Sequence, residues 1–185
     1  ELVDIVPHTG EADGKLLQAD RNSNTAGAKL TGCATGKLAE IIEGIKAGTI
    51  KALIVLGEDA VEEELFKKLE LLVVIDTLPT KATERANYVL PGTTFAEKRG
   101  TFINGKNRLQ RFNAAIPPVG NARPEWQTLT ALLGENYAAI EDVFAEMART
   151  LPALAGLNLS KIGDQGVELK IEQPAVEPKT ELVKV

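Results

Sequence analysis

Two short apolar runs, Ala52 to Leu56 and Leu71 to Ile75, constrain this chain more than any other feature. Each is rich in branched aliphatic residues, each ends in a polar turn, and the segment between them has helical period. Strand, helix and strand over so short a distance make a βαβ unit, in which the two strands run parallel. The turns Gly57-Glu58-Asp59 and Asp76-Thr77 then leave the carboxyl ends of those strands, where open α/β sheets hold ligands. A nucleotide-sized ligand suits such a crevice. A structural use also accounts for the residues: Asp59, three positions before Glu62, reads as a capping box that satisfies amides at a helix start.

The fold class expected from this unit is α/β, a mainly parallel sheet with flanking helices. A chain of 185 residues can bury one good core with a small appendage. A formal charge of −5 argues against a nucleic-acid or membrane-surface partner, because a phosphate-binding surface needs a basic excess. Cys33, the single cysteine, can form neither an internal disulfide nor a cluster site that takes four thiolates. No signal peptide and no apolar run approaching the ~20 residues of a spanning helix is legible, so the expectation is a soluble, cytosolic segment. The chain opens on Glu1 rather than Met and enters an apolar run at once, which suggests a piece of a longer protein with functional residues upstream.

Along the chain, Leu2 to Val6 reads as a strand closed by Pro7, and Lys15 to Ala19 as a second. His8, without carboxylates or cysteines at metal-ligand spacing, is expected as a surface turn residue rather than a ligand or general base. Asp20 to Ala28 reads as a polar loop, and Cys33 as a buried or incidental thiol. Leu38, Ile41, Ile42 and Ile45 fall at i, i+3, i+4 and i+7, predicting a helix over Lys37–Ala47 that Gly48 ends. In the βαβ unit, Val61, Leu65 and Leu69 line one helix face, with Glu63-Lys67 and Glu64-Lys68 as i, i+4 pairs on the other. Pro79 and Thr80 open a short helix to about Ala86, and Tyr88 to Leu90 is a brief strand closed by Pro91.

Gly100 to Asn104 and Arg108 to Phe112 then make a small hairpin excursion around Gly105-Lys106-Asn107. Pro117-Pro118 and Gly120 mark a linker, and Pro124 starts a helix to about Leu133 in which Trp126 is a packing anchor. Ile140 to Arg149 forms a further helix with Val143, Phe144 and Met147 on one stripe. From Gly166 onward an extended tail is expected.

Neither a Gly-x-Gly-x-x-Gly nor a Walker-type loop is present, so the usual phosphate cradle is missing. No serine or cysteine has a histidine to serve it. Lys98, Arg99, Lys106, Arg108 and Arg111, interleaved with Phe102 and Phe112, suit surface cations on the hairpin better than a single-strand nucleic-acid patch in so acidic a chain.

Four ordered blocks carry a resemblance. Val73-Val74-Ile75-Asp76, Ala86-Asn87-Tyr88-Val89-Leu90-Pro91, the run from Phe95 to Asn104, and Asn107-Arg108-Leu109-Gln110 resemble the molybdopterin oxidoreductase superfamily, whose pattern reads roughly V-V-x-D, A-D-x-V-L-P, A-E-x-x-G-T-x-x-N and R-x-Q. Ala122 to Trp126 and Ile140 to Ile162 extend the similarity. The resemblance implies a Rossmann-like α/β domain over residues 1–116, a helical extension over 117–165 and a tail over 166–185.

Within the superfamily, Asp59-Ala60 stand where cofactor-binding members have the Asn-Pro of G-x-N-P, and Lys81-Ala82 where they carry Glu-Thr. These departures favour a branch that keeps the fold without the metal cofactor: the large iron-sulfur subunit of NADH-quinone oxidoreductase, respiratory complex I. The implied parent oxidises NADH and passes electrons through its iron-sulfur clusters to quinone. This segment would be a scaffold with no catalytic residue, no metal ligand and no cofactor of its own. Its partners would be other subunits of the peripheral arm, on the cytoplasmic face of the inner membrane, with neither nucleic acid nor direct membrane insertion involved. The alternative is a fragment of a molybdenum or tungsten bis-pterin enzyme such as formate dehydrogenase, with molybdopterin guanine dinucleotide near Gly57, Glu58, Asp59 and Asp76. In the scaffold reading those same four residues are a vestigial site.

Overall fold

The β-branched runs pair where alternation lets one of their faces be buried. β1 (Ala52–Leu56), β2 (Leu71–Asp76) and β3 (Tyr88–Pro91) form a parallel sheet in the order β1-β2-β3, with Val55 opposite Val74 and Val74 opposite Val89. The computed structural model describes residues 2–59 and 61–171. Val55, Leu72 and Val74 are buried on one face against Phe66 and Ala82. Beside them α2 (Leu38–Ala47) contributes Ile41 and Ile45, which pack with Leu65. Gly48, at φ 72°, ends α2 in the left-handed conformation that glycine adopts without a Cβ clash.

The link between β1 and β2 is shorter than its sequence period predicts. α3 (Glu63–Phe66) lasts one turn, so neither expected i, i+4 ion pair exists. Glu64 instead meets Lys67 at 2.6 Å, and Glu63 meets Arg85 at 2.6 Å on α4 (Lys81–Arg85). Lys68 Nζ donates to the Lys46 carbonyl at the end of α2.

Neither expected amino-terminal strand forms, and in each run an aspartate side chain engages backbone amides. Asp13 Oδ1 accepts from the amides of Lys15, Leu16 and Leu17, folding that run into a turn that leaves Leu16 89% exposed. A Thr9–Asp20 bridge is the extended pairing there. Leu2 to Val6 is held without a ladder by Asp4, whose carboxylate accepts from Thr35, Gly36 and Leu38. The end of the expected polar loop is helical instead: α1 (Thr25–Leu30) buries Gly27.

A second layer stands on its own core. β4 (Gly100–Ile103) and β5 (Arg108–Phe112) form the expected hairpin, and β6 (Val167–Glu168) adds to β5. Asn107 takes the positive φ of 58° that the tight turn requires. Ile103 and Leu109 pack with Phe144 of α6 (Ile140–Thr150) and with Leu154 and Ile162 beyond it. Of the stripe Val143-Phe144-Met147, Phe144 enters this core, Met147 packs against it, and Val143 is half-buried. α5 (Glu125–Leu133) follows Pro124 as expected, but it buries no residue, and Trp126 is only half-buried rather than a core anchor. Residues 172–185 of the expected tail, and Ala60, lie outside the described residues.

Candidate functional site

β1 and β2 are neighbours, so their carboxyl ends form one rim. Gly57, at φ 63°, turns the chain off β1 while its N–H donates to the Ile75 carbonyl at 2.9 Å. On β2 the next residue is Asp76, whose carbonyl accepts from the Gly92 amide at 2.9 Å and whose Oδ1 accepts from Thr77 and Leu78. The structure thus brings Gly57 and Asp76 side by side, as the sequence predicts.

Glu58 and Asp59 diverge from that rim. Glu58 Oε1 lies 2.7 Å from His8 Nε2, tying the amino-terminal segment to the β1 tip. His8, expected to be a turn residue, is therefore also one side of a cross-link. Asp59 does not cap the helix that follows it, since the N-cap of α3 is Glu62 without a side-chain bond. Its Oδ1 accepts instead from the Ala82 amide of α4 at 3.2 Å. Thr80 and Thr83 complete that helix start with a reciprocal capping box.

This arrangement can be tested against a phosphate-bearing dinucleotide. Anion sites at strand tips and helix starts work through free backbone N–H groups. Here the amides of Thr77 and Leu78 already donate to Asp76, that of Ala82 to Asp59, and that of Thr83 to Thr80. Three carboxylates also stand at the rim or next to it. A pyrophosphate does not fit these tips as they stand. Carboxylates accept from neutral hydroxyl and N–H donors, which is the chemistry they offer a sugar or a base edge.

Sequence reasoning missed two other features. One is a cavity of about 660 Å³ along the outer edge of β1, between that strand and the segment containing Val3 to Val6, with Asn22 to Asn24 on its wall. Its sequence signal was the apolar run Leu2 to Val6. The exposed Cys33 lies on the same cavity. The other is Glu97, a buried carboxylate that accepts from Thr94 N, Thr94 Oγ1 and Val119 N. Hydrogen bonds from the Thr94 side chain and amide hold its pKa below the usual glutamate value.

Four of the five cations of the basic cluster are paired. Lys98 meets Glu125, Arg99 meets Glu141, Arg108 meets Glu168 and Arg111 meets Asp164. Such cations are not a free phosphate-binding strip. Among the described residues no group of three or more His, Cys, Asp and Glu could hold a metal ion, and no helix is long and apolar enough to cross a membrane.

Comparison with known proteins places this geometry. The NADPH-Fe(3+) oxidoreductase subunit alpha of Geobacter sulfurreducens is 39% identical over 147 residues, covering 71% of this chain and 17% of that protein. The F420-dependent formate dehydrogenase 2 subunit alpha of Methanococcus maripaludis is 33% identical over 145 residues, 70% of this chain and 21% of its own length. The formate dehydrogenase 1 subunit alpha of the same organism is 35% identical over 138 residues, 66% of this chain and 20% of that protein. The chain thus spans about a fifth of these relatives.

These are alpha subunits of formate and NADPH-Fe(3+) oxidoreductases, and they favour the alternative parent over the large iron-sulfur subunit of complex I. The case for complex I stands on Asp59, Ala60, Lys81 and Ala82. A few residues at two turns report local chemistry and weigh little against identity along most of the chain. The match to the family described as molybdopterin oxidoreductase runs unbroken from residue 2 to residue 135, through all three parallel strands and the hairpin, and the chain belongs to that family.

Proposed function

We propose that this chain is a segment of the large, alpha-type subunit of a multi-subunit molybdopterin-family oxidoreductase, of the formate dehydrogenase kind. The observation that carries this reading is its 33% to 35% identity to alpha subunits of formate dehydrogenases over 66% to 70% of its length. In the parent, a molybdenum or tungsten pterin would supply the redox chemistry. This segment would supply an α/β layer over residues 1–116 with a helical extension over 117–165, while Val167 to Leu169, at the start of the expected tail, close on the second core. No catalytic residue is assigned to it. Phosphates of the cofactor would be held by residues elsewhere in the parent, because the amides at Thr77, Leu78 and Ala82 are engaged internally. Gly57, Glu58, Asp59 and Asp76 would contribute at most acceptors for neutral groups.

The test is metal analysis of the full-length polypeptide purified with its partner subunits, together with formate-dependent dye reduction. Stoichiometric molybdenum or tungsten with formate oxidation is the expected result. The engaged amides favour a second reading, in which the parent is the large iron-sulfur subunit of complex I and this layer holds no cofactor. That reading expects neither metal, together with NADH oxidation by co-purifying iron-sulfur subunits of a membrane-bound arm.

A further inference from the structure

α5 and the loop that follows it enclose a small cavity of about 160 Å³, lined by Trp126 and Thr130 of the helix and by Glu135, Asn136 and Tyr137 beyond it. The loop is fixed by its backbone. Gly134, at φ 74°, turns the chain off α5, and the Glu135 amide donates to the Thr130 carbonyl at 2.9 Å. Trp126 and Tyr137 are both half-buried, so each keeps part of its side chain open to an incoming group. Glu135 is exposed, and among the described residues it is the one charged residue on the cavity wall.

Two aromatic side chains beside a carboxylate attract a cation, the rings through their negative faces and the carboxylate through charge-assisted hydrogen bonds. The cations carried by α6 or bonded to α5 and α6 are engaged elsewhere: Lys98 with Glu125, Arg99 with Glu141 and Arg149 with Glu146. None of these three fills the cavity. Its size matters too, because pockets for drug-sized ligands and cofactors begin at about 300 Å³. The cavity has room for the head of one side chain.

α5 supplies the third observation. It is nine residues long and buries none of them, with Leu132 57% and Leu133 76% exposed. Leu133 stands seven positions after Trp126, so it lies on the same helix face and continues the surface beyond the cavity. A tryptophan and a tyrosine around a charged pocket, flanked by bare leucines, have the composition of the centre of a protein interface rather than of ordinary surface.

We infer that this cavity receives an arginine side chain from a partner subunit of the parent complex, and that apolar neighbours of that arginine cover Leu132 and Leu133. Arginine suits it better than lysine, because a planar guanidinium stacks on aromatic side chains and donates two parallel N–H groups to one carboxylate. The inference rests on the reading that the parent is a multi-subunit oxidoreductase, and not on which cofactor or electron donor that parent uses.

Covalent footprinting of the full-length polypeptide tests it, alone and assembled with its partner subunits. Carbodiimide labelling of Glu135 and hydroxyl-radical oxidation of Trp126 and Tyr137 should each fall at least ~5-fold on assembly, as water is excluded from the centre of an interface. Glu135→Lys should weaken assembly at least ~10-fold, since it sets like charges against each other at that centre. Labelling that does not change on assembly would overturn the inference. Labelling already blocked in the isolated polypeptide would assign the cavity to another part of the same chain, and protection by ethylguanidinium with no further loss on assembly would assign it to a free small cation; either overturns it. The subunit content of the natural complex, read from its native mass, reports separately on whether the parent has partner subunits at all.

Discussion

Asn24 Oδ1 accepts a hydrogen bond from the Ile103 amide at 2.8 Å, across 79 residues of sequence. Asn24 sits at the N-cap of α1, yet makes no side-chain cap bond to its own helix. Its carbonyl is spent on the first strand of the hairpin, so it couples the amino-terminal segment to the second core. Gly27 leaves the room for this, since a Cβ there would lie 2.3 Å from Asn24 Oδ1.

Asn24→Ala is therefore expected to destabilise the chain by about 1–2 kcal/mol, the cost of an unsatisfied, partly buried amide. Gly27→Ala should be destabilising as well, because it displaces the same side chain. The double variant should cost less than the sum, as for two residues sharing one interaction. Urea unfolding of the four proteins measures the coupling, and simple additivity would show that the Asn24–Ile103 bond contributes little.

Lys98 Nζ lies 2.9 Å from both carboxylate oxygens of Glu125, with each side chain less than one third exposed. Removing one partner leaves the other charge poorly solvated, so Lys98→Met should cost about 1–3 kcal/mol. Lys98→Met with Glu125→Leu should recover part of that loss. Thermal unfolding of the single and double variants decides it.

Thr93 is 2% exposed and its Oγ1 has no hydrogen-bond partner among the described residues. Replacing that hydroxyl by a methyl group of similar shape removes an unmet desolvation cost. Thr93→Val is expected to stabilise the chain by about 0.5–1 kcal/mol. A lowered denaturation midpoint would show that the hydroxyl has a partner in solution.

Acid sensitivity should trace to Glu97 and Asp4. Hydrogen bonds from the Thr94 hydroxyl and amide, then from the Val119 amide, hold Glu97 below the ordinary 4.5. Burial pushes Asp4 upward, but the amides of Ile5, Leu38, Gly36 and Thr35 outweigh it and hold it below 3.8. A folded-state pKa below the unfolded value gives stability that is present in full above the unfolded value and lost as pH falls through the folded one. Stability should therefore decline as pH drops below about 4.5. Glu97→Gln with Asp4→Asn should be less stable at neutral pH and show a shallower acid decline. An unchanged slope would assign the acid response to other carboxylates.

Asp59→Ala should free the Ala82 amide and loosen the joint between the β1 tip and α4. Faster amide exchange at Ala82, with Val74 unchanged, is the expected signature. Equal exchange in both proteins would mean that water replaces Asp59 without loss.

The three parallel strands, α2 with its Gly48 stop and the β4–β5 hairpin were all legible in the sequence, because period, turn chemistry and glycine placement act within a few residues. The failures share a feature. Aspartate side chains take up backbone amides, Asp13 those of its own run and Asp4 those of Thr35 and Gly36, 31 and 32 residues away, and neither run with strand-like composition makes a ladder. At the candidate site, the side-by-side placement of Gly57 and Asp76 followed from parallel pairing, whereas the partners of Glu58 and Asp59 did not. His8 is 50 residues from Glu58 and Ala82 is 23 from Asp59, distances at which no local pattern specifies a contact.

The sequence by itself determined that a βαβ core forms, where its strands end and to which family its motif blocks belong, since apolar alternation and turn residues act locally. Only the tertiary structure decided that Asp59 takes the Ala82 amide, that four of the five hairpin cations are paired with carboxylates, and that among the described residues β1 pairs along one edge alone. Those outcomes depend on which distant groups meet when two cores close. A hydrogen bond made across the fold removes a donor that the local sequence alone would leave free.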